Sequence, residues 1–316
     1  MTKFDLQSLP QIKKNLPVFA KVTESSSQLD WLDSYLSLYK LPNPSSELSL
    51  YCGTIALNQQ SIFTAAWAPK KSAGTAIIVH GYLDNLGLYG HLIENLLTQN
   101  LTVVCFDLPG HGLSNGERAF IADFSDYTQV LDAILMVCTE QFTAPFHGVG
   151  QSTGGAILLK HLFDSNQAID YPFKSLNLLA PLLHPKGWWF NRHLIPLIRL
   201  FRKSLIRRFG NNSQDAEFSA FIRQRDILQP QVMPLPWFVA ADKWARQFEA
   251  SSGNDFSVNI IQGDGDKTLD WKYNLKMFGH KLPNMKLRTI KDANHHMANE
   301  IQGLRDEVFN AIDLSS

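Results

Sequence analysis

The sequence lacks an excess of either charge: 29 Lys and Arg stand against 29 Asp and Glu. With no global basic field, the whole molecule is not drawn to nucleic acid, and any basic surface is local. Cysteine is scarce. Cys52, Cys105 and Cys138 form an odd, widely spaced set in apolar stretches, which suits buried reduced thiols and implies neither a disulfide framework nor a cysteine zinc site. No charge-free apolar run reaches the roughly 18 residues needed to span a bilayer. Residues 1–20 carry lysines without the apolar core of a secretory leader. These absences lead to the expectation of a cytoplasmic protein. Internal repeats and low-complexity tracts are also missing.

What is present suits a folded enzyme. The 316 residues are 45% hydrophobic and 18% charged, enough for one large core and an accessory lobe. Residues 1–45 read as a polar leader and one helix, Ser26 to Leu41. That helix opens on Ser27 with Asp30, ends at Pro42 and Pro44, and is expected on the outside of the core.

From there strands and helices alternate. Strands are predicted at Leu48–Ala56, Ile62–Ala68, Ala76–His80, Thr102–Asp107, Phe146–Gly150, Leu176–Ala180, Val258–Gln262 and Lys286–Ile290. Helices are predicted at Leu86–Thr98, Phe124–Glu140, Gly154–Phe163, Trp271–Phe278 and Glu300–Ile312. The first two strands suit a hairpin through Asn58 and Gln59, and the rest must be mostly parallel. The expected fold is α/β, a mostly parallel central sheet flanked by helices. Its core takes residues 46–183 and 255–316, and an inserted helical cap takes 184–254, where no convincing strand is visible.

In an open parallel sheet, chemistry gathers beyond the carboxyl ends of the strands. Gly150-Gln151-Ser152-Thr153-Gly154 lies at such an end. A G-x-S-x-G alone arises by chance in about one chain in ten of this length. Here it follows a predicted strand and opens a predicted helix, the setting of a nucleophile elbow, in which a tight turn exposes the serine hydroxyl. The bland alternative is a glycine-rich turn with a capping serine.

A serine needs a base, and the base needs an orienting acid. Two later strands are followed by Gly263-Asp264-Gly265-Asp266-Lys267-Thr268-Leu269-Asp270 and by Asp292-Ala293-Asn294-His295-His296. Asp266, in mid-loop, is the preferred acid; Asp264 suits turn shaping and Asp270 a helix cap. His295 is the preferred base over His296. A metal cluster of these acids and histidines lacks a helical His pair at i, i+4 and a cysteine ligand, so no metal is assigned. The developing oxyanion needs two donors. The backbone N–H of Thr153 is one, and that of Tyr82, after Gly81, is the other. His80 reads as a structural hydrogen-bonding residue.

Together His80-Gly81-Tyr82, the Asp107 to Gly116 segment (D-x-x-G-H-G-x-S-x-G), the Ser152 elbow, Gly263-x-x-Asp266 and Ala293-x-His295-x-x-x-Asn299-Glu300 are informative. This set resembles the α/β-hydrolase superfamily, in its monoacylglycerol lipase and lysophospholipase-like branch. The resemblance covers about residues 76–300 without the cap. It implies Ser152 as nucleophile, Asp266 and His295 as its partners, Tyr82 and Thr153 at the oxyanion, and no cofactor. The chain departs from the branch at Leu83, Asp84 and Asn85, at Gln151 and at Asp292.

The cap speaks to substrate. Trp188, Trp189, Phe190, Leu194, Leu197, Ile198, Phe201 and Leu205 form an apolar stripe against Arg192, Arg199, Arg202, Lys203, Arg207 and Arg208. This segment suits either a bilayer surface, as peripheral contact at the inner membrane face, or packing on the core mouth. Either way an apolar wall stands above Ser152, with Trp188 and Trp189 as candidate substrate contacts. The expected reaction is hydrolysis of small-molecule carboxylic esters with a hydrophobic acyl chain, of monoacylglycerol or lysophospholipid type. A peptidase, a transacylase and a non-catalytic lipid-binding protein are the alternatives.

Overall fold

The computed structural model describes residues 3–23, 29–165 and 171–315. The chain begins with α1 (Leu9–Lys14), β1 (Ala20–Lys21) and α2 (Leu32–Tyr39). Neither α1 nor β1 is visible in the sequence pattern, being too short to show a period. Helix α2 begins later than the expected Ser26, and the expected Ser27 cap lies outside the described residues. Its buried Leu32, Tyr35, Leu36 and Tyr39 follow helical spacing and enter the main core.

Strands β2 (Leu48–Leu57) and β3 (Gln60–Pro69) pair antiparallel across Leu57 and Gln60. Asn58 turns between them at a φ of +53°, a left-handed position that asparagine tolerates in tight hairpins. Alternation then runs as anticipated: β4 (Gly74–Val79), α3 (Gly90–Thr98), β5 (Leu101–Phe106), α4 (Phe124–Gln141), β6 (Phe146–Gln151), α5 (Thr153–Asp164) and β7 (Phe173–Leu179).

The inserted segment contains α6 (Trp188–Ile198), β8 (Ser204–Ile206), α7 (Ala216–Gln224), β9 (Val232–Pro234) and α8 (Leu235–Ala250). The core resumes with β10 (Val258–Gly263), α9 (Trp271–Lys281), β11 (Lys286–Ile290) and α10 (Gln302–Asn310).

Nine strands form one sheet in the order β1-β2-β3-β5-β4-β6-β7-β10-β11. The first three pairings, β1–β2, β2–β3 and β3–β5, are antiparallel and the remaining five parallel. Alternate residues feed opposite faces, as a period of two requires. Ile77, Val79, Val104 and Phe106 join the side chains of α4, α5 and α8. Ala76, Ile78, Val103 and Cys105 join those of α2, α3 and α10. All three cysteines are free and buried.

The insertion differs from expectation in two ways. A two-stranded antiparallel ladder, β8 with β9, stands where only helix was expected. Pro196 inside α6 lacks the N–H that would bond back one turn, and the helix ends two residues later; residues 204–206 are then extended against 232–234. Second, α8 belongs by packing to the core. Its Trp237, Ala240, Ala241, Trp244, Ala245 and Phe248 are buried in the same cluster as α4 and α5. We therefore place the end of the cap near Pro234 rather than Asn254.

Candidate active site

The turn between β6 and α5 carries Ser152 at φ +51°, ψ −109°, a conformation that L-residues rarely adopt. The flanking glycines make it possible. A Cβ on Gly150 would lie 2.6 Å from the Gly154 and Gly155 backbone, and one on Gly154 would lie 1.9 Å from the Val79 carbonyl oxygen. The Ser152 N–H donates to the Leu179 carbonyl at 2.8 Å, and the Ser152 carbonyl accepts from Leu182 at 3.0 Å. Strand, turn and helix are thus welded around the serine.

Ser152 Oγ lies 3.0 Å from His295 Nε2, and His295 Nδ1 lies 2.8 Å from Asp266 Oδ2. Asp266 Oδ1 accepts the amides of Thr268 (2.7 Å) and Leu269 (3.1 Å), and Gln262 Nε2 donates to Oδ2 at 3.2 Å. Burial raises the Asp266 carboxyl, but the facing His295 ring, the bond to it and the two amides outweigh burial and hold it below its usual value. The carboxylate stays charged opposite the imidazole.

Gln151 Nε2 donates to the His295 carbonyl at 2.9 Å, tying the elbow to the histidine loop. Glu300 accepts the Asn294 amide at 2.5 Å and the Gln214 amide at 2.8 Å, and Asn299 Nδ2 donates to Leu88 O at 2.7 Å. These bonds explain why Asn299 and Glu300 accompany His295 in the motif. Asp264 Oδ1 accepts the Asp292 amide at 2.5 Å, a turn-shaping bond. Asp270 sits at the N-cap of α9 without a side-chain cap bond. Among the described residues, no group of three or more His, Cys, Asp or Glu is placed to hold a metal ion.

The loop after β4 brings Tyr82 to the same cavity. Among the described residues, neither the Tyr82 nor the Thr153 amide donates to a protein acceptor, so both remain available to a ligand oxygen. His80 Nε2 accepts the Leu108 amide at 2.9 Å, which leaves Nδ1 to donate to Gly81 O at 2.7 Å. Burial lowers the His80 pKa and keeps the ring neutral. Asp107 accepts the amides of Leu86 and Leu113, each at 2.7 Å. The Asp107–Gly116 turn thereby buttresses the Tyr82 loop, with His111 5.6 Å from the Tyr82 ring.

Beside it, Asp84 accepts the Tyr89 hydroxyl at 2.8 Å and lies 3.3 Å from His296 Nε2. Burial raises this carboxyl too, yet the His296 and His80 rings and the Tyr89 hydroxyl hold it well below the usual range. His296 therefore serves Asp84 and not Ser152.

Ser152, Tyr82, Thr153 and His295 line one cavity of about 310 Å³. Its apolar wall comes from Leu182, Phe218, Ile222, Met233, Trp237 and Phe238. Trp237 stacks on Tyr82, with ring centroids 3.6 Å apart. The expected wall of Trp188 and Trp189 is corrected, since neither lines this cavity. Trp188 is buried against α8, where Nε1 donates to Asp242 Oδ1 at 3.2 Å; Trp189 is 53% exposed beside Tyr273. Sequence pattern missed Trp237 because it marks a core helix whose first turn only incidentally reaches the cavity. The single long stripe is also corrected. Beyond α6 the chain turns, Arg192 pairs with Asp242 at 3.2 Å, and Arg207 lines the cavity.

The sheet order, the strained serine after β6 and its bonded histidine and aspartate define an α/β-hydrolase. More narrowly, the chain belongs to the serine aminopeptidase S33 family, whose model matches residues 70–302, a family of serine hydrolases. It is 23% identical over 273 residues to a monoglyceride lipase homolog of Monkeypox virus, covering 81% of this chain and 94% of that relative. It is 27% identical over 138 residues to phospholipase YtpA of Bacillus subtilis, covering 37% of this chain and about half of that relative, 53%. A soluble variant of monoglyceride lipase from Saccharomyces cerevisiae, solved with a substrate analog, superimposes with a TM-score of 0.69 at 18% identity. That match covers 81% of this chain and 91% of the other.

Proposed function

We propose that the chain hydrolyses carboxylic esters with a hydrophobic acyl chain, of monoacylglycerol or lysophospholipid type. The observation that carries this reading is the Ser152–His295–Asp266 relay, with contacts of 3.0 and 2.8 Å, at the floor of an apolar-walled cavity. Ser152 Oγ attacks the ester carbonyl as its proton passes to His295 Nε2. Asp266 holds the Nδ1–H and stabilises the imidazolium. The Tyr82 and Thr153 amides take the oxyanion. His295 returns the proton to the leaving alcohol, and water, activated the same way, releases the fatty acid.

The family description raises a peptidase as second reading. An aminopeptidase needs an unpaired carboxylate for the substrate ammonium. Among the described residues the one acid on this cavity's lining, Asp84, is already engaged by Tyr89 and His296. The similarity to a lipase homolog and a phospholipase supports the ester reading.

The exposed face of α6 and the turn after it suits delivery from a lipid surface. Phe190, Leu200 and Phe201 are 70%, 74% and 87% exposed, and Arg199, Arg202 and Lys203 lie among them. We propose peripheral contact with an anionic membrane face here. No described helix is long and apolar enough to cross a membrane.

Ser152→Ala should lower ester turnover by about 10⁴–10⁶-fold with an unchanged melting temperature. A fluorophosphonate probe should label Ser152 and spare His295→Ala. Near-normal turnover in the alanine variant would end this reading.

A further inference from the structure

The catalytic cavity contains a positive charge that a neutral ester leaves unused. Arg207 lies just past β8, partly buried, on the cavity lining next to Arg208. Its guanidinium sits 4.4 Å from the Phe209 ring centroid, a cation–π contact that fixes its plane. Its bonds to protein all run through Nη1: to Gln229 Oε1, and to the Leu83 and Pro230 carbonyls at 3.4 Å each. Gln229 in turn donates to Asp226 Oδ2 at 2.6 Å, and Asp226 also accepts Tyr39 Oη at 2.5 Å and Asn85 Nδ2 at 3.0 Å. The arginine is therefore held by a buried polar network rather than by a carboxylate of its own. Among the described residues, no Asp or Glu oxygen lies within 4.0 Å of it.

Among the described residues, Nε and Nη2 bond to no acceptor, a two-point fork of the kind that binds two oxygens of one anion. Among the described residues the one acid on the cavity lining is Asp84, which faces His296 and accepts the Tyr89 hydroxyl. Asp84 and the buried Asp226 act on Arg207 only at longer range, and Arg208 beside it adds a second cation to the lining. Enclosing a desolvated guanidinium against a neutral head group would cost free energy that an anionic one restores.

We propose that Arg207 binds a phosphate group carried by the substrate itself, so that the preferred ester is an acylated glycerol phosphate rather than a neutral monoacylglycerol. The inference rests on the ester-hydrolase reading above and specifies the head group at that same site. Leu83 belongs to the Tyr82 loop, so the Arg207 contact to its carbonyl sets the anion site beside the oxyanion donors. This placement lets one molecule present its ester to Ser152 and its phosphate to Arg207.

The test compares kcat/KM for 1-oleoylglycerol and 1-oleoylglycerol 3-phosphate in the same neutral detergent micelles. Wild type should favour the phosphate by about tenfold or more, the scale of one charged hydrogen-bond pair. Arg207→Gln should bring the ratio near one, and Arg207→Lys, which keeps charge without the fork, should fall between. A triple variant, Arg199→Gln with Arg202→Gln and Lys203→Gln, removes surface charge only and should keep the wild-type preference. An absent preference in wild type, an unchanged ratio in Arg207→Gln, or loss of preference in the surface variant overturns the assignment. Hydrolysis of neither ester, with Ser152 unreactive to fluorophosphonate, overturns the ester reading and this inference with it. Cleavage of the neutral ester alone overturns only the inference.

Discussion

Two buried carboxylates, Asp84 and Asp266, stay charged because each faces an imidazole, at 3.3 and 2.8 Å. Both lie below the usual carboxylate range in the folded chain. A lowered folded pKa adds stability above the unfolded value of about 4, and that stability is lost as pH falls through the folded value. Urea unfolding at pH 6 and pH 3 should therefore show a smaller acid-induced loss of stability in Asp84→Asn than in wild type. An equal loss would mean that Asp84 is not held in its charged form by the fold. Asp266 and His295 were legible in the sequence because each follows a strand in the order the chemistry requires. Asp84 with His296 was not, since 212 positions of chain separate partners that only the fold brings together. Arg207 is not legible for a related reason: helical spacing does not continue past Ile198, where α6 ends two residues after Pro196.

At the scale of the element, the elbow depends on backbone packing against backbone. Gly154→Ala would drive a methyl to within 1.9 Å of the Val79 carbonyl, and no flexible side chain is there to yield. We expect a loss of about 3 kcal/mol or more, at or beyond the upper end of ordinary overpacking, measured as a fall in denaturation midpoint. A midpoint within error of wild type would show that β4 and α5 separate easily. Strands such as β4 and β5 were legible as short apolar runs bounded by turn residues. By contrast, β8 and β9 are three residues each, and their pairing partner, rather than their composition, makes them strands.

Across the whole molecule, the exposed Phe190, Leu200 and Phe201 and the exposed Arg199, Arg202 and Lys203 lie on α6 and the turn after it, and none of them lines the catalytic cavity. Replacing Arg199, Arg202 and Lys203 with Gln should weaken binding to anionic vesicles by about 100-fold, at roughly 1 kcal/mol per cation. Co-sedimentation unchanged from wild type would sink the membrane-contact proposal. The eight principal strands and the helices between them were readable because the core repeats one pattern. The cap was readable only as an interruption, because its shape depends on contacts with α8 and the cavity rim.

The double role of α8 bears on how relatives of this chain could diversify. Its first turn supplies Trp237 and Phe238 to the cavity, while Trp244 and Phe248 are locked into the core. Segments exchanged between relatives ahead of Pro234 would alter the rim without touching the cluster of α4, α5 and α8, provided they keep the Asp226 bonds to Tyr39 and Asn85 and the Gln214 bond to Glu300. A swap extending through residue 250 would replace cavity wall and core together, and so must match the recipient's α4 and α5. Inheritance of new specificities should accordingly be easiest in residues 184–234, with Trp237 persisting as the fixed edge against which each new lid is fitted.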